Sequence, residues 1–405
     1  MRSCLESIPD DCRRVFVAYS GGLDSSVLLH LLLSTGRAYE ILPWHINHGL
    51  VENSPQMEQF CIQQAQAYGL EIRVDRLDLA DVDSNIEAVA RRQRYRLFEQ
   101  NTHAGDCILT AHHADDQAET FLMNALRGSG VAGLRGIARR RRLGSSLLLR
   151  PLLEFSRRRL EDYANRHEIA WFNDPSNQNP RFDRNYLRYH IVPLIKQRWP
   201  GYQNALTTSS EIQSETQDLL DEVGSRDYQE LHLPDPGKID RLDINGMLQL
   251  SLPRRKNLVR YWIASAGLPA PPFTRLQELM HQLQARPDAM PEVAMPGYSL
   301  RIYDRQLFLV FEPARDECGG AIEFGQLEEI EIPQLNLRLS RKEILQRLGV
   351  EDKNQSLTLK FRRRGEQNED SHRLKRLFQR HRVPPWERDS TAQLYLDGRL
   401  EGLLR

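Results

Sequence analysis

The residues best suited to chemistry lie in a loop near the start of the chain. "RVFVAYSGGLDSSVLLHLLL" (14–33) runs from an apolar strand through Ser20, Gly21, Gly22, Leu23, Asp24 and Ser25 into an apolar helix. Backbone N–H groups at such a turn are unpaired and carry partial positive charge, so the loop is a cradle for an anion. It is not a Walker A loop, because no G-x-x-x-x-G-K-[ST] occurs and the turn has no lysine. Asp24 would repel phosphate unless a cation lay between them. Two readings follow: Asp24 holds Mg²⁺ that bridges to a polyphosphate, or it is a helix N-cap or first-turn acid.

A second acid-rich stretch, "TAHHADDQAET" (110–120), places His112, His113, Asp115 and Asp116 together. Asp116 and Glu119 have capping-box spacing, which needs no chemistry. Alternatively, one aspartate completes a metal shell or grips an amine. Asp115 and Asp116 cannot both be the cap, so one structural and one functional acid are expected. A zinc site on His112 and His113 is disfavoured, since neighbours on a strand point to opposite faces. His45 and His48 suit strand-end packing at least as well as a base contact. Glu87 and Arg91 are four residues apart, the spacing of a helical ion pair. Arg184, Asn185 and Arg188 suit phosphate contact or a solvated face. Basic clusters recur at 135–142 (with Arg139 and Arg140), 156–160, 360–366 (Arg363, Arg364) and 372–382 (Lys375, Arg376). Each alone reads as a solvated face.

The elements that must position these groups alternate. Strands are expected at 14–20, 39–47, 70–79, 106–113 and 145–155, with helices at 25–36, 54–69, 85–105 and 115–128 between them. That order predicts an α/β fold, a doubly wound parallel five-stranded sheet with right-handed crossovers. Ligands bind such sheets at the carboxyl ends of the strands, where both motif loops fall. Residues 156–230 read as helical and 239–312 as mixed helix and strand. Residues 316–325 read as a linker, and 326–405 as short strands around a basic helix. The expected division is 1–215, 216–315 and 326–405: a catalytic domain followed by two smaller α+β domains.

The chain has 405 residues and zero formal net charge, so its bulk charge points to no acidic partner. Separate basic clusters can still form local anion-binding surfaces. Five cysteines at 4, 12, 61, 107 and 318 are widely spaced without a C-x-x-C. This predicts neither disulfide framework nor zinc site, and a reducing, cytoplasmic setting. "MRSCLESIPDD" lacks the apolar core of a signal peptide, and no apolar run is long enough to span a bilayer.

"SGGLDSS" after a first strand resembles the signature of the N-type ATP pyrophosphatase, or PP-loop, superfamily. "HINHGL" (45–50), "NIEAVARRQRY" (85–95), "TAHHADDQAET" (110–120), "LRGSGVAGLRG" (126–136), "RPLL" (150–153), "NDPSN…RFDRNYLR" (173–188) and "KFRRRGE…LKRLFQRHRVPPWER" (360–388) follow in the order and spacing of the tRNA(Ile)-lysidine synthase family. The resemblance covers nearly the whole chain. One departure is Val51, where the family often has arginine after Gly-Leu.

The resemblance implies a ligase that forms a carbon–nitrogen bond. The wobble cytidine of tRNA(Ile) with a CAU anticodon is adenylated by ATP with Mg²⁺, and free L-lysine then displaces AMP. It implies ATP contacts at Ser20–Ser25, with Asp24 as Mg²⁺ ligand. Catalytic roles fall to Asp24, Asp115, Asp116 and Arg91. Substrate and tRNA contacts fall to His113, Asn85, Glu87, Arg139, Arg140, Arg184, Asn185, Arg188, Arg363, Arg364, Lys375 and Arg376. The 135–142 cluster is assigned to the anticodon side and 360–382 to the acceptor side. No membrane or protein partner is evident, and the oligomeric state is open. Two rivals stand beside this reading: a tRNA thiolase, which would need catalytic cysteines or an iron–sulfur cluster, and a non-catalytic ATP-dependent tRNA-binding protein, which could dispense with the acids.

Overall fold

The computed structural model describes residues 1–36, 39–49, 53–79, 86–173, 183–234, 240–284, 290–311, 320–323, 329–332, 337–348, 356–361 and 370–404. The chain divides into two compact units, Met1–Leu220 and Asp221–Arg405.

In the first unit, β1 (Arg14–Ala18), α1 (Leu23–Leu33), β2 (Glu40–Asn47), α2 (Ser54–Ala67), β3 (Arg73–Arg76), α3 (Ile86–Asn101), β4 (Asp106–Leu109) and α4 (Ala114–Leu126) alternate as expected. A short α5 (Val131–Leu134) leads to β5 (Arg140–Leu143), β6 (Ser146–Leu149) and α6 (Arg157–Arg166). The sheet has six strands, in the order β3-β2-β1-β4-β6-β5. Pairings from β3 through β6 are parallel; β5 is an antiparallel edge strand on β6. This corrects the five-stranded, all-parallel expectation. The sixth strand is built from the arginine run that reads as a solvated face. Such a run suits an edge strand, where charge discourages pairing with another chain. The strand expected at 145–155 ends at Leu149, because a turn begins at Arg150.

Period-two alternation splits β1 between two cores. Val15 and Val17 pack with Leu28, Leu29 and Leu32 of α1 and with Leu160 and Ala164 of α6. Phe16 faces the other way, onto Trp44, Phe98, Ile108 and Leu148. Helix α1 is apolar nearly all round because it is sandwiched between sheet and α6. Ser156 caps α6 as its sequence suggests, accepting from the Arg159 N–H. Beyond it lie α7 (Asp183–Tyr186), a π-turn at Leu187–Ile191, α8 (Val192–Arg198) and α9 (Tyr202–Leu231).

A charged clasp closes one edge. Glu58 of α2 takes Arg76 Nη2 at 2.7 Å and Asn47 Nδ2 at 2.7 Å, joining α2 to the ends of β2 and β3. The Arg76 and Asn47 hydrogen bonds hold the Glu58 carboxyl at about 2 against the ordinary 4.5. A depressed carboxylate stabilises the fold above its unfolded value and loses that contribution as pH falls through the folded one. Glu58→Gln should therefore melt below the parent at pH 7, and the gap should close as pH falls from 4.5 towards 2. Calorimetry across that window checks it.

The second unit begins within α9 and continues through β7 (Arg241–Asp243), α10 (Ile244–Gln249), α11 (Leu252–Ser265), α12 (Phe273–Gln282), β8 (Glu292–Met295), β9 (Tyr298–Tyr303) and β10 (Gln306–Phe311). These strands form an antiparallel sheet, β7-β10-β9-β8, packed on Trp262, Leu276 and Leu279. β11 (Gly320–Glu323), β12 (Glu329–Ile332), β13 (Leu337–Ser340), α13 (Arg341–Leu348), β14 (Leu357–Phe361), α14 (Ser371–Arg380), β15 (Ala392–Leu396) and β16 (Arg399–Leu404) follow. β11 falls inside the stretch read as a linker: it pairs with β14 in a second antiparallel sheet, β11-β14-β15-β16. Helix α14 buries Leu374 and Phe378 against Val383, Tyr395 and Leu400, which leaves Lys375 and Arg376 exposed.

Candidate active site

The glycine loop leaves β1 at its carboxyl end and enters α1 with Gly22 as N-cap. No side chain caps this helix, so its first amides are free for an anion. Gly21 sits at φ +77°, and a Cβ there would lie 2.8 Å from Cys61 Sγ. Both conformation and space require glycine. The serines brace the loop: Ser25 Oγ donates to the Gly22 carbonyl at 3.0 Å and lies 3.1 Å from Ser20 Oγ. Asp24 is the second residue of the helix, not its cap. One carboxylate oxygen, Oδ1, is buried without a hydrogen-bond partner.

The acid-rich loop leaves β4, the strand beside β1, and reaches Asp24 through His113. His113 is buried, with Nε2 3.6 Å from Asp24 and 3.5 Å from Asp116, and Nδ1 3.5 Å from Asp115. Burial opposes its charge, but the Asp115, Asp24 and Asp116 carboxylates outweigh burial and push its pKa up to about 10. An imidazolium therefore joins three carboxylates. In turn, and against burial, His113 pulls Asp115 and Asp116 below the ordinary carboxylate value. His112 turns away, to Thr110 Oγ1 at 2.9 Å, and burial pushes it down to about 3. The two histidines diverge as expected.

Both neighbouring aspartates are engaged in the fold. Asp115 accepts the Arg157 N–H of α6 at 2.8 Å and is bonded by Gln203 of α9. Asp116 accepts the His113 N–H at 3.0 Å, closing a box one turn earlier than the Asp116–Glu119 spacing suggests. The helix begins at Ala114, so His113 is the N-cap and Asp116 its third residue. Asp116 also takes Arg184 at 3.0 Å and Arg188 at 3.3 Å.

Glu119 is the residue the sequence reading underrates. It is 3% exposed and binds Arg188 Nε at 2.6 Å and Arg184 Nε at 2.8 Å. Its signal is its place one turn after Asp116, on the same helix face. Arg184 and Arg188 thus tie the 183–198 segment to α4, with their guanidiniums turned to carboxylates. The pair read as phosphate contacts is, in this geometry, an internal network.

Asp24 suits Mg²⁺. This ion is commonly held by one or two carboxylates together with substrate phosphates and water. An unclaimed oxygen beside an uncapped helix start supplies that setting. Among the described residues no cluster of three or more His, Cys, Asp or Glu forms an all-protein cage.

Residues 2–195 match the model of a PP-loop domain, 242–308 that of the TilS substrate binding domain, and 357–401 that of the TilS substrate C-terminal domain. The tRNA(Ile)-lysidine synthase of Serratia proteamaculans is 36% identical over 396 residues, 96% of this chain and 90% of that protein. The chain belongs to the tRNA(Ile)-lysidine synthase family. The family's enzyme from Alkalilimnicola ehrlichii is 38% identical over 92% of this chain and 85% of its own length. That of Yersinia pseudotuberculosis is 41% identical over 74% and 66%. As a member of this family the chain is a ligase that uses ATP and acts on tRNA.

The other expected lysidine synthase site residues scatter. Arg91 lies exposed on α3, its guanidinium 5.1 Å from the centre of the Tyr95 ring. Asn185 lies on α7 beside Arg184. Arg140 is exposed on β5. Arg139 pairs with Glu154 and, at 3.0 Å, with Glu211. Lys375 and Arg376 lie on α14. Asn85, Arg363 and Arg364 lie outside the described residues, and Glu87 is placed only as a position on α3. Among the described residues no helix is long and apolar enough to cross a membrane.

Proposed function

We propose that this chain attaches free L-lysine to C2 of the wobble cytidine of an isoleucine tRNA with a CAU anticodon, so that the tRNA reads AUA. The observation that carries this is the meeting of an uncapped anion cradle with a carboxylate corner through His113, 3.6 Å from Asp24. In the first step the cytidine C2 oxygen attacks the α-phosphate of ATP and pyrophosphate leaves. The free amides of α1 and the Ser20–Ser25 loop receive the departing charge. In the second step the lysine ε-amine attacks C2 and AMP leaves with the oxygen.

The amine has an ordinary pKa of about 10.4 and arrives protonated. A carboxylate corner binds the ammonium and accepts a proton as the C–N bond forms. Asp24 offers the unclaimed oxygen of that corner, Asp115 and Asp116 add negative charge beside it, and charged His113 keeps the three acids compatible. Mg²⁺ bound by Asp24 would supply charge neutralisation at the polyphosphate. The cytidine base is expected to be splayed out of its loop to reach the site.

The thiolase alternative finds little support. Cys61, whose Sγ lies against the loop at Gly21, is buried and pushed up to about 12, far from a reactive thiolate. Incubating the protein with ATP, Mg²⁺, labelled lysine and bulk tRNA tests the proposal. Label in the tRNA, with stoichiometric AMP and pyrophosphate, is expected. ATP cleavage with no lysine in the tRNA would sink it.

A further inference from the structure

Beside the acid corner, Tyr95 of α3 sits in a ring of arginines. Arg91 lies 5.1 Å, Arg94 5.9 Å and Arg141 4.9 Å from the ring centroid, and Arg150 Nη2 is 3.5 Å from the phenol oxygen. Four cations thus converge from α3, from the edge strand β5 and from the residue that follows β6. No described carboxylate lies within ion-pair distance of any of them, unlike Arg184 and Arg188 nearby.

Arg150 is the most telling member. It is 6% exposed and bonds the Ala138 carbonyl, yet its Nε is buried without a partner. A buried cation without a counter-ion is costly, and the cost falls if an anion arrives as part of function. Burial pushes both Arg94 and Arg150 below the ordinary guanidinium value. Planar guanidiniums around one point offer forked donors that match phosphate oxygens.

We infer that the Arg91–Arg94–Arg141–Arg150 ring around Tyr95 is a phosphate site, and that it holds a backbone phosphodiester of the RNA strand whose base enters the acid corner. This rests on the tRNA reading above. RNA is favoured over the ATP tail by position. Sheet order puts β4 and β6 between the glycine loop's strand and β5, so Arg141 stands three strand spacings away, about 14 Å. The ring also lies on an exposed basic edge: Arg140, Arg141 and Arg142 of β5 are all solvent-accessible. His112 lies within electrostatic reach of both ring and corner: Arg150, Arg91 and Arg184 disfavour its charge and Asp116 favours it.

The test uses the full chain with Arg141→Gln, at an exposed position, and with Arg94→Gln added. A CAU-anticodon tRNA transcript is titrated without lysine at several salt concentrations, and the KM for ATP is measured separately. Each lost contact to a single strand should lower the slope of log affinity against log salt by about 0.7. We expect tRNA affinity to fall about tenfold in the double variant, with a slope shallower by about 1.4 and an unchanged KM for ATP. A raised KM for ATP would assign the ring to the nucleotide and overturn the inference, whatever happens to tRNA. Unchanged tRNA binding would overturn it equally. Since binding is read without lysine, a failure of the lysine reaction would leave this comparison intact.

Discussion

Asp24→Asn should lower pyrophosphate release on the order of 10³-fold while leaving the fold and tRNA binding in place. The expectation comes from how the acids of the corner are employed. Asp115 spends its oxygens on the Arg157 N–H and Gln203, and Asp116 on the His113 N–H and two arginines. Asp24 alone in the corner keeps a buried oxygen with no hydrogen-bond partner. Its charge supports the fold in two ways, as a first-turn acid worth about 0.3–1 kcal/mol against the helix dipole and as one of the carboxylates beside the buried His113 imidazolium, so the variant should melt somewhat below the parent yet stay folded. The amide matches the carboxylate in size but cannot neutralise a cation next to a polyphosphate. A pyrophosphate-release assay, beside a melting curve and a tRNA titration, checks all three parts. Unchanged release would reduce Asp24 to a helix-dipole residue.

The glycine loop was legible because its cause is local. A strand, two glycines and a helix start occupy adjacent residues, and Gly21 needs its conformation whatever surrounds it. The strands β1, β2 and β4 were legible because burial writes apolar runs into them. Strand β5 was not, since four consecutive arginines hide the strand signal and only pairing with β6 makes it one. The capping box was read one turn late because a helix that starts on a histidine lacks the usual serine, threonine or aspartate marker. The salt-bridge network was invisible for another reason: Glu119 meets Arg184 and Arg188 across 65 and 69 residues, and no local spacing records that pairing. The arginine ring belongs to the same class, because α3 and the β5–β6 hairpin meet at Tyr95 only in the folded chain.

Glu119→Ala should produce the largest loss of stability of any substitution at the site. Removing one partner of a buried ion pair costs about 3–5 kcal/mol, because the remaining charge is left without compensation. Arg184 and Arg188 remain 34% and 22% exposed and keep Asp116, so the lower end, about 3 kcal/mol, is expected. For a unit of this size that is a fall in Tm of about 6–12 °C. Catalysis should suffer as well. With Glu119 gone, both guanidiniums turn to Asp116, which now shares its oxygens with His113 and the α4 N-terminus. That draws the corner away from Asp24 and weakens the grip on an incoming ammonium. Glu119→Gln, which keeps shape and one acceptor, should recover part of the stability but little of the bidentate hold on Arg188. Adding Arg188→Met to Glu119→Ala removes an orphaned cation, so the double variant should melt above Glu119→Ala alone. Melting curves of the three variants, with KM for lysine and kcat measured on each, decide the matter. A double variant that melts lower than Glu119→Ala would mean that Arg188 stabilises the fold by contacts other than this carboxylate.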